Sequence, residues 1–127
     1  MSKKILVVDD EPSIIKMLGA RLQASGYEVA SAMDGVKGLE MARREKPDLI
    51  ILDLMLPGMD GYKICALLKK DARYSKIPIV LFTARAQEKD EEMGFECGAN
   101  AYLKKPFNSR ELLAKIEGLL AQSPKVV

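Results

Sequence analysis

The sequence contains no histidine and only two cysteines among its 127 residues. Without histidine, the chain cannot build a Ser–His or Cys–His nucleophilic system, pass a phosphoryl group through a histidine of its own, or assemble most kinds of zinc site. Cys65 and Cys97 do not form a Cys-x-x-Cys pair, so we interpret them as buried, reduced side chains rather than a disulfide or a metal site. Any catalysis must therefore use carboxylates, lysine, hydroxyl groups and a bound ion.

Long apolar runs and dense basic tracts are also missing. No stretch approaches the roughly 20 apolar residues of a membrane-spanning helix. The first four residues lead into only four apolar ones before two aspartates, which is not the pattern of a signal peptide. We therefore expect a cytoplasmic protein that does not contact a membrane. The net charge is +2 and the basic residues are spread along the chain, so we expect no direct contact with nucleic acid.

What the sequence does contain predicts one globular domain. Hydrophobic residues make up 48% of the chain and charged residues 30%, which are the proportions of a soluble protein with a substantial core. The length also fits a single domain. We assign residues 1–122 to this domain and residues 123–127 to a flexible tail or the start of a linker.

Short apolar runs alternate with helical patterns along the chain. The runs have the length and β-branched character of buried parallel strands, and a less apolar segment suits an edge of the sheet. Right-handed crossovers between them give an α/β fold with a doubly wound, five-stranded parallel sheet, flavodoxin-like, with strand order 2-1-3-4-5. The predicted strands are residues 5–8, 28–32, 49–52, 79–82 and 101–103.

The five predicted helices differ in how clearly the sequence specifies them. The last is the best specified, because Asn108 can form a capping box with Glu111 at its start. The helix predicted over residues 86–97 has few apolar residues and is therefore the most easily shifted. A loop with three helix breakers, residues 54–61, separates the third predicted strand from the helix that follows it.

Carboxylates directly follow two of the apolar runs. Asp9, Asp10 and Glu11 come after the first run and Asp53 comes after the third, and the flavodoxin-like order makes those strands neighbours. A single acid here could simply end a strand or cap a helix. Adjacent carboxylates repel each other, however, and Mg²⁺ removes that penalty with one or two protein carboxylates. Asp53 would then bind metal, become protonated or serve as a nucleophile.

Two further polar residues come at the ends of the fourth and fifth predicted strands. Thr83 comes after the fourth run and Lys105 after the fifth, and each alone would be an ordinary strand residue or surface lysine. Ligands of open α/β sheets bind outside the carboxyl ends of the strands, so these groups should converge. Carboxylates for Mg²⁺, a hydroxyl and a cation are together what phosphoryl transfer requires, since that chemistry depends on positioning and charge neutralisation.

These motifs resemble those of response-regulator receiver domains of two-component signalling, in particular single-domain regulators of the chemotaxis type. The resemblance covers residues 3–121 and implies a regulatory phosphoacceptor rather than an enzyme, with no catalysis beyond its own phosphorylation and dephosphorylation. The matching segments are residues 5–11 (ILVVDDE), 53–61 (DLMLPGMDG), 83–84 (TA) and 104–107 (KKPF).

The resemblance implies a role for each matching residue. Asp53 would accept a phosphoryl group from a sensor histidine kinase or a phosphotransfer protein. Thr83 would hydrogen-bond that group and Lys105 would form an ion pair with it.

The resemblance also implies the metal site and the residues that tune it. Asp9 and Asp10, with Asp53 and the backbone carbonyl of Met55, would coordinate Mg²⁺. The family does not fix the side chains at Met55 and Arg85, and neither is an acid or amide suited to orienting an attacking water.

A switch and an output surface are further implications of the resemblance. Tyr102 occupies the place of a rotating aromatic that responds to Thr83, and the Lys105–Pro106 peptide would be cis. The output surface would combine the predicted 86–97 helix, the strand at Tyr102 and the last helix. A downstream target or a second copy of the chain would bind there.

Two other functions share parts of this pattern. An aspartyl-phosphate phosphatase of the haloacid dehalogenase type requires a second acid two residues after the nucleophile, where this chain has Met55, and a cap domain that it lacks. A flavodoxin requires a phosphate-binding loop after the first strand, where three carboxylates would repel the phosphate. We therefore favour a receiver, which could be a complete single-domain relay or the front of a longer regulator.

Overall fold

A computed structural model describes residues 3–83, 97–105 and 108–122 of the chain. The strands in these ranges are β1 Lys4–Val8, β2 Glu28–Ala32, β3 Leu49–Asp53, β4 Ile79–Thr83 and β5 Ala101–Lys104. The helices in them are α1 Pro12–Ala24, α2 Gly35–Glu45, α3 Gly61–Lys70 and α4 Ser109–Gln122. The predicted strands are confirmed to within one residue at each end, whereas most of the predicted 86–97 helix and the whole 123–127 tail lie outside the described residues.

The five strands form one parallel sheet in the order β2-β1-β3-β4-β5, as the sequence predicted. The register aligns the carboxyl ends of the central strands. Val8 pairs with Ala32 on one side and Leu52 on the other, and Asp53 pairs with Phe82. The residues that follow β1 and β3 are therefore brought to the same edge of the sheet.

Two hydrophobic layers cover the faces of this sheet, which explains why its central strands are apolar throughout. Successive strand residues point to opposite faces, so Leu6 packs in the layer of α2 and α3, whereas Val7 packs in the layer of α1 and α4. The helical members of these layers are Leu39, Ala42, Ile64, Cys65 and Leu68 on the first face, and Leu18, Leu22, Leu112 and Ile116 on the second.

Side-chain caps start three of the helices. The Asp34 carboxylate accepts a hydrogen bond from the Lys37 amide at 2.7 Å, and Asp60 accepts one from Lys63 at 2.8 Å. Asn108 accepts from the amides of Arg110 at 2.8 Å and Glu111 at 3.4 Å, so the capping role predicted for Asn108 is confirmed. Each such cap contributes about 1 kcal/mol to stability.

The loop between β3 and α3 lies against the start of α2 and against β3 itself. Gly35 donates its amide hydrogen to the carbonyl oxygen of Pro57 at 3.1 Å. Gly61 approaches β3 so closely that a Cβ atom added to it would lie 2.6 Å from the Asp53 carbonyl oxygen. A Cβ atom added to Gly35 would overlap the Met59 carbonyl oxygen, so both positions require glycine. Together these contacts hold the backbone immediately after Asp53 in place.

One burial prediction was wrong. Cys65 is fully buried in α3, but Cys97 is only half-buried, because it lies in the turn that precedes β5 rather than inside a helix or strand. Within the described ranges, no helix combines the length and apolar character that a membrane crossing requires.

Candidate functional site

The predicted acid cluster forms where β1 and β3 end side by side. One carboxylate oxygen from each of Asp9, Asp10 and Asp53 lies within 4.8 Å of the others. Asp9 and Asp53 are buried, with 0% and 3% of their surface exposed, whereas Asp10 is exposed. Two buried carboxylates therefore line the inside of the cluster, and a third faces solvent at its rim.

Backbone amides fix the orientation of the two buried carboxylates. Oδ1 of Asp9 accepts a hydrogen bond from the Glu11 amide at 2.9 Å, and Oδ1 of Asp53 accepts one from the Met55 amide at 3.1 Å. In each case the acid is bonded by the amide two residues later, a local turn favoured by aspartate. The second oxygen of each carboxylate is therefore available to a cation.

Lys105 provides that cation, because β5 ends close to the acid cluster. Its ammonium nitrogen lies 3.0 Å from Asp9 Oδ2, 3.4 Å from Asp53 Oδ2 and 3.5 Å from Glu11 Oε1. The side chain is only 12% exposed, so solvent screens these ion pairs less than it would on the surface. The sequence predicted Lys105 at this site, and the geometry brings it there.

Phe82 is a contact of Lys105 that the sequence did not reveal. The ammonium lies 4.7 Å from the centroid of the Phe82 ring, a cation–π distance. The contact could have been inferred from the strand register, because Phe82 pairs with Asp53 on β3 and with Leu103 on β5. Its ring therefore lies between the strand that carries the acid and the strand that leads to the lysine.

The charges of the site do not balance. The four carboxylates of Asp9, Asp10, Glu11 and Asp53, against the single Lys105 ammonium, leave three formal negative charges uncompensated. Burial raises the pKa of the Asp53 carboxyl, and the charge of Asp9 adds to that effect, while the Met55 amide and Lys105 oppose it. Burial acts to lower the Lys105 pKa, but its hydrogen bond to Asp9 and the charge of Asp53 raise it above its usual value. The lysine is therefore a cation at neutral pH, and the site can accept further positive charge.

The donor set of the cluster suits a hard cation. All of the side-chain atoms that the cluster offers to a metal ion are carboxylate oxygens, which Mg²⁺ and Ca²⁺ prefer. Mg²⁺ needs only one or two protein carboxylates because it keeps several bound waters. The cluster of Asp9, Asp10 and Asp53 could hold such an ion.

The remaining predicted site residues are only partly described. Thr83 ends β4, where its backbone pairs with Lys104, and Tyr102 is half-buried on β5 against the layer of α2 and α3. Met55 lies in the loop after β3 and is 57% exposed.

Two predictions about this edge of the sheet fall outside the described residues. They are the tuning role of Arg85 and the cis form of the Lys105–Pro106 peptide, and both stay predictions. The described groups nevertheless combine a buried carboxylate, an ammonium within hydrogen-bond reach and a cluster that could hold a metal ion. These are the parts that phosphoryl transfer requires.

Comparison with known proteins identifies relatives of this chain. A family model described as the response regulator receiver domain matches residues 5–117. The alkaline phosphatase synthesis transcriptional regulatory protein PhoP of Bacillus subtilis is 47% identical over 125 residues, which are 97% of this chain and 50% of that protein. The DNA-binding dual master transcriptional regulator RpaA of a Synechocystis species is 42% identical over 123 residues, 97% of this chain and 51% of that protein.

A solved structure supports the same relationship. The CheY-like response regulator receiver domain protein from Methanospirillum hungatei superposes with a TM-score of 0.91 and 31% identity, covering 97% of each chain. The chain spans about half the length of the two curated relatives named above. The family model and the solved structure are both described as response regulator receiver domains, and the phosphatase alternative is not supported.

Proposed function

This chain belongs to the response-regulator receiver family of two-component signalling, and on that premise we propose that Asp53 is the residue that accepts the phosphoryl group. The observation that carries this proposal is the setting of the Asp53 carboxylate. It is buried at the end of β3, oriented by the Met55 amide, and lies beside both the Lys105 ammonium and the acids Asp9 and Asp10. Asp9 is also buried, oriented by an amide and bonded to Lys105. Asp53 is assigned rather than Asp9 because it begins the segment of residues 53–61, whose resemblance to the receiver family implies that its aspartate is the phosphoacceptor.

The proposed reaction is transfer from a phosphohistidine of a sensor kinase or phosphotransfer protein. A carboxylate oxygen of Asp53 attacks the phosphorus, the phosphorus–nitrogen bond of the donor breaks, and the imidazole leaves with its electron pair. The product is an acyl phosphate on Asp53. These 127 residues supply no histidine for this step, so the phosphoryl group must come from a donor outside them.

Lys105 is already within reach of the group that forms. In the unphosphorylated chain its ammonium binds Asp9 and Asp53 carboxylate oxygens. Phosphorylation adds a group with about −1.5 to −2 charge at this point. The ammonium is then expected to bond a phosphoryl oxygen, while the Thr83 hydroxyl bonds another.

Mg²⁺ is the proposed metal cofactor, held by Asp9, Asp10 and Asp53 with the backbone carbonyl of Met55. When bound, it neutralises charge on the transferring phosphoryl oxygens, as metal ions do in phosphoryl transfer generally. The excess of carboxylates over the single ammonium is what favours a divalent cation here.

Millimolar Mg²⁺ is expected to raise the melting temperature of the wild-type chain, and to raise that of an Asp10→Asn variant less. A ligand that binds only the folded state adds about 2.7 kcal/mol at 100 times its dissociation constant. Asp10→Asn removes one ligand and one uncompensated charge, so its metal-free form should be at least as stable as wild type. Thermal melts in EDTA and in Mg²⁺ measure both effects. Asp34→Asn, which keeps a helix cap, is the matched control, and a wild-type melting curve unaffected by Mg²⁺ would contradict the metal assignment.

The proposed activity is limited to the chain's own phosphoryl group. Met55 is an exposed thioether that cannot act as a base, and Arg85 is likewise no acid or amide. Hydrolysis of the acyl phosphate therefore depends on water that neither side chain orients. The chain acts as a regulator that stores a phosphoryl group, not as an enzyme for an external substrate.

The output surface is proposed to comprise the predicted 86–97 helix, β5 at Tyr102, and α4. Tyr102 supports this assignment because it is half-buried and pairs with Leu81 of β4, two residues before Thr83. A movement of Thr83 towards the phosphoryl group would therefore reach Tyr102 through adjacent strands. A downstream target or a second copy of the chain would then bind to this surface.

Beryllofluoride, a phosphoryl mimic, is expected to change amide hydrogen exchange across residues 89–102 and in α4. The two states need differ by only a few kcal/mol, so the active state should be a minor population before phosphorylation. Exchange measured by mass spectrometry with and without the mimic tests this. Changes confined to α1 and α2 would place the output surface elsewhere.

The relatives suggest what this receiver could control. PhoP and RpaA are named as transcriptional regulators, and both are about twice as long as this chain. We propose that the chain either acts by binding a partner protein or forms the receiver of a longer regulator.

Acetyl phosphate, a small phosphodonor, tests the proposed function directly. Incubated with Mg²⁺, the chain should gain the mass of one phosphoryl group, and hydroxylamine should remove it because acyl phosphates are labile to that nucleophile. Without a divalent cation the uptake should be much slower. A phosphorylated product that resists hydroxylamine would be a phosphoester and would exclude an aspartate as the acceptor.

A further inference from the structure

The two cysteines of the chain meet on the face of the sheet opposite α1 and α4. Cys65 is fully buried in α3, and its thiol donates a hydrogen bond to the backbone carbonyl oxygen of Cys97 at 3.6 Å. The two thiols also influence each other's ionisation. The cysteines are 32 positions apart in sequence, so the fold alone brings them together.

The turn that carries Cys97 is pressed against α3. A Cβ atom added to Gly98 would lie 3.0 Å from Cγ of Lys69, so the backbone of the turn rests on the stem of that lysine. The Lys69 ammonium donates hydrogen bonds to the carbonyl oxygens of Ser75 at 3.1 Å and Ile77 at 2.7 Å. The Lys69 ammonium is therefore held in a fixed position, and its charge favours ionisation of both thiols.

The two thiols differ in their ionisation. The hydrogen bond from Cys65 lowers the pKa of Cys97 to about 7, with the Ala99 amide and the Lys69 charge acting in the same direction against burial. The bond to Cys97, followed by burial, raises the pKa of Cys65. Cys97 is therefore the thiol of the pair that ionises more readily. Cys97 is also the half-exposed member of the pair, and a low-pKa, accessible thiol next to a second cysteine is the typical setting of a redox-sensitive site.

We propose that Cys97 and Cys65 form a hydroperoxide-sensitive thiol pair, in which Cys97 reacts with the peroxide and Cys65 closes an intramolecular disulfide. The Cys97 thiolate attacks one oxygen of the hydroperoxide, the O–O bond breaks, and the other oxygen leaves as an alcohol or water after taking a proton. Cys97 becomes a sulfenic acid. The Cys65 sulfur then attacks the Cys97 sulfur and displaces hydroxide, which leaves as water with the Cys65 proton. Overall the two thiols lose two electrons and two protons, and the peroxide is reduced.

The disulfide would join α3 to the turn that leads into β5. Tyr102 lies on that strand, five residues after Cys97, so oxidation would restrain the element through which the proposed phosphorylation signal passes. This inference does not depend on which residue accepts the phosphoryl group, because it rests only on the thiol pair and Lys69.

Hydrogen peroxide, added at a small molar excess to the reduced full chain under native conditions, tests the proposal. A non-reducing digest should contain the peptide with Cys65 linked to the peptide with Cys97, and the intact mass should fall by two hydrogen atoms. In Cys65→Ala, dimedone should label Cys97 as its sulfenic acid, although more slowly than the wild type forms the disulfide, because the interaction that most lowers the Cys97 pKa is lost. In Cys97→Ala, the buried Cys65 should stay unmodified. Dimers linked between chains, or higher oxides of sulfur without the linked peptide, would overturn the proposal.

The pH dependence of the wild-type reaction separates a reactive pair from a packing contact and requires no variant. The rate of peroxide consumption, which reports the Cys97 step alone, should rise by only a few-fold from pH 7 to pH 8, because the pKa of Cys97 is lowered to about 7. A thiol with the ordinary pKa of about 8.5 would give a rise of about eightfold over the same range. A rise of that larger size would show that Cys97 is not activated and would overturn its assigned role.

Discussion

An Asp53→Asn variant is expected to take up no phosphoryl group from acetyl phosphate under conditions that fully phosphorylate the wild-type chain. The amide that replaces the carboxylate has no anionic oxygen to attack phosphorus. The substitution otherwise preserves the site, because the asparagine oxygen can still accept the Met55 amide hydrogen that Asp53 Oδ1 accepts at 3.1 Å. It also removes a buried charge whose pKa is raised first by burial. The variant should therefore fold, and its metal-free melting temperature should not fall.

Asp60→Asn is the matched control for this loss. Asp60 lies in the same loop, seven residues later, and its carboxylate caps α3. Asparagine caps helices about as well as aspartate, so the variant should retain both its stability and its phosphorylation. Intact-mass spectrometry measures uptake in all three proteins. Wild-type uptake by a folded Asp53→Asn protein would mean that another residue is the acceptor.

A Gly61→Ala variant is expected to lose about 1–3 kcal/mol of stability, the usual cost of forcing extra atoms into a packed region. The added Cβ would lie 2.6 Å from the Asp53 carbonyl oxygen and 2.9 Å from the Leu54 Cα atom. Both are backbone atoms that cannot turn aside as a flexible side chain can. Either the start of α3 or the end of β3 must move, so the orientation of the Asp53 carboxylate should change as well. Slower phosphorylation by acetyl phosphate should accompany the loss of stability.

Gly19→Ala is the control: it makes the same chemical change, but it is expected to raise the stability of the chain rather than lower it. Gly19 lies inside α1, and an added Cβ would meet no atom within 4 Å. Alanine should stabilise that helix by roughly 0.5–1 kcal/mol, since glycine is unfavourable in a helix interior. Denaturant unfolding curves measure both variants against wild type. Equal midpoints for Gly61→Ala and Gly19→Ala would show that the β3–α3 contact does not constrain the site.

The sequence was sufficient to predict the sheet because its strands are buried on both faces. Four apolar runs stand out between helical patterns and predict a doubly wound parallel sheet. The flavodoxin-like order, one of the two common orders of such sheets, was the one predicted, and the order β2-β1-β3-β4-β5 confirms it. The same logic predicted the meeting of Asp9, Asp10 and Asp53, since residues that end neighbouring parallel strands share one edge.

Contacts that depend on side-chain reach or on exact backbone distance could not be predicted in this way. The cation–π contact of Lys105 with Phe82 follows from the register of β4 against its neighbours, which local sequence does not specify. Gly61 was recognised as a loop breaker, but nothing nearby in sequence shows that its missing side chain makes room for Asp53. The bond from Cys65 to Cys97 joins distant segments, one of them in a turn whose burial the sequence misjudged.

Reductive trapping identifies the residue that carries the phosphoryl group, which we propose is Asp53. Sodium borohydride reduces an aspartyl phosphate to homoserine, which marks the acceptor permanently. The chain is phosphorylated with acetyl phosphate and Mg²⁺, reduced, digested and sequenced by tandem mass spectrometry. Homoserine at position 53, and at no other aspartate, is the result expected. Homoserine at Asp9 or Asp10, with Asp53 unmodified, would contradict the assignment of the acceptor.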